Sequence, residues 1–168
     1  SDKITIAEMT WLSASSLAHI TKKVLADGYG CNVEVVPGDT VPTATSMLAK
    51  GKPHIAPEMW VSTAASIWEK MMAKGNVYKA GDIFSGGGEE GWWIPDYVAK
   101  AHPEIKSISD LKSNAKLFAD ASDPSKGRLY GCPPGWACEI ITGNLFKALG
   151  LGETFELFSP GSGANLKA

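Results

Sequence analysis

Apolar and polar residues alternate from Lys3 to Ala7, which predicts a first strand with Glu8-Met9-Thr10-Trp11 as the loop at its carboxyl end. The spacing then changes to that of a helix. Leu17, Ile20, Val24 and Leu25 supply one apolar face, Ser13 or Ser15 stands where a cap belongs, and Gly28 to Gly30 end the segment. The valine-rich run Cys31 to Val36 reads as a second strand, followed by a turn at Pro37-Gly38-Asp39. Thr43 to Lys50 reads as a short helix stopped by Gly51-Lys52-Pro53. His54 to Glu58 reads as a third strand leading into Met59-Trp60, and about Ser62 to Lys74 as a further helix.

This succession of strands and helices with short connections predicts an α/β fold built on an open, mostly parallel sheet. Ligands bind such sheets beyond the carboxyl ends of the strands, the edge on which Trp11 and Trp60 fall. The polar run Ser85-Gly86-Gly87-Gly88-Glu89-Glu90-Gly91 interrupts the pattern and reads as a boundary, dividing the chain into residues 1–85 and 86–168. Beyond it, Tyr97 to Lys100 reads as a short helix and Ile108 to Leu111 as a turn or another helix, with Ser109-Asp110 suited to a cap. Lys116 to Asp120 reads as a strand, Asp120 to Gly127 as a polar loop, and Thr154 to Phe158 as a last strand. The second unit has few strands and little helical cover, so it reads as cut short.

The composition, 44% hydrophobic and 20% charged over 168 residues, is that of a globular chain able to bury a core. A net charge of −2 argues against nucleic acid as a partner. No apolar run reaches membrane-spanning length. No signal peptide opens the chain, which fits a cytosolic protein or the mature form of an exported one. His19, His54 and His102 are scattered and no Cys-x-x-Cys occurs, so no metal is expected; the Asp120–Gly127 loop lacks the terminal glutamate of a calcium loop. Nothing in the pattern calls for a cofactor or a hydrolase nucleophile. Of six tryptophans, two or three are expected in the core and the rest on a cleft.

The most informative stretch is Gly131-Cys132-Pro133-Pro134-Gly135-Trp136-Ala137-Cys138. Its prolines fix φ, and Gly135 accepts angles closed to other residues. A helix is expected from Ala137, with Ile140, Ile141, Leu145 and Leu149 at helical spacing and Gly150 as its stop. Trp136 is thereby held beside the free N–H groups of a helix N-terminus. That terminus attracts anions, and the indole face attracts cations. Together they suit a zwitterion with a bulky positive head. Glu8, Glu58, Glu89 and Glu90 are candidates for a negative field around the head, the last two reading more simply as solvated surface. Cys132 and Cys138 are either a disulfide in an oxidising compartment or two reduced thiols, while Cys31 reads as a buried small hydrophobe.

The same turn, together with Ile55-Ala56-Pro57-Glu58-Met59-Trp60, resembles the substrate-binding proteins of ABC transporters for glycine betaine, proline betaine and choline. The resemblance implies a periplasmic-binding-protein-like fold of type II with two lobes, here incomplete, and a mature protein on the periplasmic or extracellular side. It implies a small quaternary ammonium ligand and the membrane permease of an ABC transporter as partners, and no enzymatic activity. By position, Trp60 and Trp136 match box tryptophans, the N–H groups of Ala137 and Cys138 match carboxylate donors, and Cys132 and Cys138 match a family disulfide; Trp11 is a further candidate wall. Ala64 stands where the family pattern has a histidine, and Ala137 where it has glycine.

Two other readings compete. A thiol–disulfide redox protein would use Cys132 and Cys138, with the helix N-terminus lowering the pKa of Cys138. An interaction domain would dock a protein on its tryptophan surface. An incomplete second unit also leads to the expectation that a partner copy or a swapped element covers exposed sheet edges.

Overall fold

The computed structural model describes residues 2–165 and residue 167. Strand β1 (Ile4–Glu8) pairs in parallel with β2 (Val33–Pro37), in register from Ile4 opposite Val33 to Glu8 opposite Pro37. Between them run α1 (Leu12–Lys23) and a π-type turn at Val24–Gly28. The buried stripe of α1 is Ala14 and Ala18, while Ile20 and Val24 are 59% and 52% exposed. Leu17 lies about a quarter turn round the helix from the alanines, and Ile20 more than a third of a turn. The small side chains let the helix backbone close on a two-stranded sheet that is too narrow to cover the larger ones as well. Neither expected serine caps α1. The helix starts after Trp11 with no side-chain cap, and Ser13 and Ser15 instead donate to carboxylates of Glu58 and Glu8.

The next helices are α2 (Thr40–Lys50) and α3 (Ala65–Lys74), ended by Gly51 and Gly75 at φ 66° and 69°. Ala44, Met47 and Met71 form the core between them. The expected third strand shrinks to a bridge between Ile55 and Ile6, held by Ala7 N–H to Ile55 O at 2.9 Å. Pro57 has no N–H to extend the ladder, and Glu58 turns to φ 57°, so the pairing stops there.

Short helices α4 (Asp96–Ala101) and α5 (Ile108–Ser113) follow. Ser107, rather than Ser109, opens α5, its N–H and hydroxyl both donating to Asp110 Oδ2, at 2.9 and 2.8 Å. Strand β3 (Gly127–Tyr130) then pairs in parallel with β4 (Phe155–Phe158), separated in sequence by α6 (Ala137–Ala148); a short α7 (Ser162–Asn165) comes last. The expected strand Lys116–Asp120 is a 3-10 turn at Ala115–Phe118 with a single bridge from Ala119 to Gly127. Coiling lets Ala115 and Phe118 both reach the core formed with Leu151 and Phe155, which an extended segment could not do for residues on opposite faces. On α6 the buried residues are Ala137 and Thr142, whereas Ile140, Ile141 and Leu145 are exposed, against the expected apolar face.

Asp120 is the ionic centre of this second region. Its carboxylate is 2% exposed and takes both Nε and Nη2 of Arg128, at 2.9 and 2.6 Å, plus the N–H of Ser122 at 2.6 Å. The Arg128 guanidinium and the Ser122 hydrogen bonds hold its carboxyl well below the usual range. A depressed native pKa gives stability that is complete above the unfolded value, near pH 4, and is lost as the pH falls below it. Acid unfolding followed by circular dichroism should therefore steepen between roughly pH 4 and pH 2, and Asp120→Asn should flatten that limb. Gly127→Ala would place a Cβ 2.5 Å from Phe155 Cε1 and 2.7 Å from Ala115 O. It should cost about 1–3 kcal/mol in urea unfolding.

Candidate functional site

The Gly131–Cys138 turn leaves the end of β3, where Gly131 N–H donates to Phe158 O at 2.7 Å. Gly135 adopts φ 92°, and a Cβ there would stand 3.2 Å from Asp39 Cβ, so both conformation and space demand glycine. Trp136 is extended, at φ −78° and ψ 143°, and α6 starts at the next residue. Cys132 and Cys138 are bonded to each other, closing the turn over six positions. The turn is docked onto the first part of the chain. Val41 N–H, in the first turn of α2, donates to Gly135 O at 3.1 Å. Trp136 Nε1 donates to Thr10 Oγ1 at 2.9 Å, and that hydroxyl donates onward to Asp39 Oδ1 at 2.9 Å.

Trp11, 8% exposed, meets Trp136 edge to face at 5.3 Å and 78°. Its Nε1 donates to Glu58 Oε1 at 2.6 Å; the same oxygen accepts from Ser13 Oγ at 2.9 Å and Trp60 Nε1 at 3.3 Å. Glu58 is 5% exposed, and its other oxygen, Oε2, has no hydrogen-bond partner among the described residues. The positive φ of Glu58 is uncommon for a side chain of this kind and is held by these bonds. Trp60 is pinned from the other side by Gly88, where a Cβ would run into Cζ3 and Cη2 of its ring.

These groups border one open cleft of roughly 2000 Å³, lined by Trp11, Glu58, Trp60, Trp136, Ala137 and Cys138 among others. All five residues singled out from the sequence, Trp11, Trp60, Trp136, Ala137 and Cys138, therefore meet at one place. Trp92 and Trp93 also line it, so five of the six tryptophans border the cleft, while Trp11 also belongs to one buried core and Trp92 packs against another. The N–H groups of Ala137 and Cys138 make no turn or cap hydrogen bond among the described residues. Of the candidate carboxylates, Glu89 and Glu90 line the cleft, and desolvation raises the pKa of Glu90 above the ordinary value. Glu8 is occupied elsewhere: hydrogen bonds from Ser15 and His19 lower its pKa.

Thr10, Ser13, Asp39 and Gly88 are the residues of the site that sequence pattern missed. Thr10 and Asp39 read as loop, Ser13 as a cap and Gly88 as part of a polar linker. Only their tertiary neighbours distinguish them. Among the described residues no three His, Cys, Asp or Glu side chains gather as a metal site, and no helix is long and apolar enough to cross a membrane.

A family model described as "Substrate binding domain of ABC-type glycine betaine transport system" matches residues 2–168. The chain is similar to the glycine betaine-binding periplasmic protein OusX of Dickeya dadantii (strain 3937), with 28% identity over 109 residues, 64% of this chain and 32% of that protein. It is also similar to the glycine betaine/proline betaine-binding periplasmic protein of Salmonella typhimurium (strain LT2), with 34% identity over 82 residues, 48% of this chain and 24% of that protein. The matched stretches thus span under a third of either relative. Neither the family nor these relatives support the expected partner copy or swapped element.

Thiol titration of the unreduced, unfolded protein should find a single reactive thiol, that of Cys31. Replacing Cys132 and Cys138 together by serine should lower stability to urea by about 2 kcal/mol, the loop-closure value for a short ring.

Proposed function

We propose, since the chain belongs to the family of substrate binding domains of ABC-type glycine betaine transport systems, that it captures glycine betaine or a related quaternary ammonium compound in the tryptophan-lined cleft. It hands this solute to the membrane permease of an ABC importer, on the periplasmic or extracellular side of the membrane. Two lobes of the type II binding-protein kind, residues 1–85 and 86–168, face each other across the cleft in this reading.

The observation that carries it is the meeting of Trp11 and Trp60 on the carboxylate of Glu58, with Trp136 packed edge to face against Trp11. A quaternary ammonium has no N–H, so the protein cannot hold it with acceptors in the ordinary way. Its diffuse charge is met by aromatic faces, each contributing roughly 0.5–2 kcal/mol depending on desolvation. The carboxylate of a betaine needs donors instead, and the free N–H groups of Ala137 and Cys138 at the start of α6 supply them. Two or three faces with those hydrogen bonds reach the micromolar range, about −8 kcal/mol.

The thiol redox reading lacks this support. The bond between Cys132 and Cys138 closes the turn that bears Trp136, a structural use of both sulfurs, and the family is one of binding components rather than enzymes.

Calorimetric titration of the intact protein with glycine betaine and with choline tests the reading. At least one should bind in the micromolar range, and Trp136→Ala should weaken it about tenfold or more. No heat from either solute, in protein shown to be folded, would falsify it.

A further inference from the structure

We infer that Glu58 is the counter-charge of the cleft: its free oxygen, Oε2, faces the positive head of the ligand and makes the site select organic cations over neutral molecules of the same shape. This rests on the reading of the cleft as a cation site and names the group that sets its charge preference. Glu58 lines the cleft yet is only 5% exposed, and all three of its donors go to Oε1. Oε2 is buried and unpartnered. A buried carboxylate oxygen left in this state is costly unless something completes it. No lysine or arginine forms an ion pair with Glu58 among the described residues: of the two cationic side chains on the cleft, Arg128 is committed to Asp120, and Lys106 makes no ion pair with Glu58. The missing partner is therefore a positive group that comes from outside.

The geometry also says what kind of cation. No three metal-capable side chains gather among the described residues, so one carboxylate oxygen between indoles is not a metal cradle. Trp11 and Trp60 both point their N–H groups at Oε1; Trp11 packs against Trp136, and the half-buried Trp60 offers its ring to the cleft as an apolar surface. Donation to an anion also pushes electron density into the indole and strengthens its attraction for a cation. A bulky alkylammonium satisfies both demands: its methyl groups contact the rings and its charge balances Oε2. The φ of 57° at Glu58 and the three donors fix the carboxylate before any ligand arrives, so little reorganisation opposes binding.

The test compares choline with neohexyl alcohol, in which carbon replaces the choline nitrogen, by calorimetry on the intact protein. Glu58→Gln keeps an oxygen for the indole N–H groups but removes the charge. It should weaken choline about tenfold or more while leaving the alcohol within about twofold. Trp136→Ala, by contrast, should weaken both. Circular dichroism and thermal melts establish that each variant is folded. If Glu58→Gln does not fold, the unaltered protein replaces it: choline should bind at least about tenfold more tightly than the alcohol, and equal affinities overturn the inference. The inference is overturned if the Glu58 variant binds choline as the unaltered protein does, or if it weakens both ligands alike; the aromatic reading of the cleft then stands. If the unaltered protein binds neither choline nor glycine betaine, the cation reading itself fails and this inference with it.

Discussion

Everything around the cleft hangs on one buried oxygen, Oε1 of Glu58. It gathers Trp11 from the loop after β1, Ser13 from the first turn of α1 and Trp60 from the loop after the Ile55 bridge. Trp11 and Ser13 are neighbours in sequence, as are Glu58 and Trp60, but the two pairs lie 45 or more residues apart and have no covalent reason to meet. A charged acceptor in a place with little water makes each of these hydrogen bonds stronger than a neutral one. The same burial would make a loss of donors expensive. The arrangement is therefore close to all-or-none: either the indoles point their N–H groups inward together, or the carboxylate has no reason to be there.

A second constraint ties the later turn to this cluster. The Cys132–Cys138 bond and the two prolines stiffen the turn, and its docking is then a matter of a few directed contacts. Thr10 is central to them. Its hydroxyl accepts from Trp136 and donates to Asp39, and its carbonyl accepts from Ser162 at 2.8 Å. The core cluster of Ala7, Met9, Trp11 and Ala14 packs against Trp60 and Trp136 as well, so the polar contacts sit on an apolar base. A stiff turn on such a base holds an indole in place with little conformational entropy left to lose when a ligand arrives.

The two parallel sheets are small, and their size explains where the apolar side chains went. Each has two strands, too narrow to cover a full helix face. Helix α1 answers with alanines on its buried stripe, and α6 buries Ala137 and Thr142 while Ile141 and Leu145 border the cleft. Apolar residues at helical spacing thus served the cleft and the surface as well as the core.

What the chain's own order of residues determined was local. The first two strands, the glycine stops of α2 and α3, the start of α6 at Ala137 and the stiffness of the Cys-Pro-Pro-Gly-Trp turn all follow from backbone chemistry within a few positions. Among the candidate residues, Trp11 and Trp60 were marked by their place after strands, Trp136 by its stiff turn, and Ala137 and Cys138 by the family resemblance; the structure brings all five to one cleft. Tertiary structure alone decided that Ser13 serves a carboxylate instead of a cap, that Gly88 presses on Trp60, that His54–Glu58 is reduced to a bridge, and that Lys116–Asp120 becomes a 3-10 turn with a bridge. It also decided that Glu58, one glutamate among several in the sequence, is buried with an unpartnered oxygen. Periodicity reports which face of an element is apolar; the partner that face meets, and the hydrogen bond a polar side chain finds across the chain, depend on neighbours that sequence spacing does not contain.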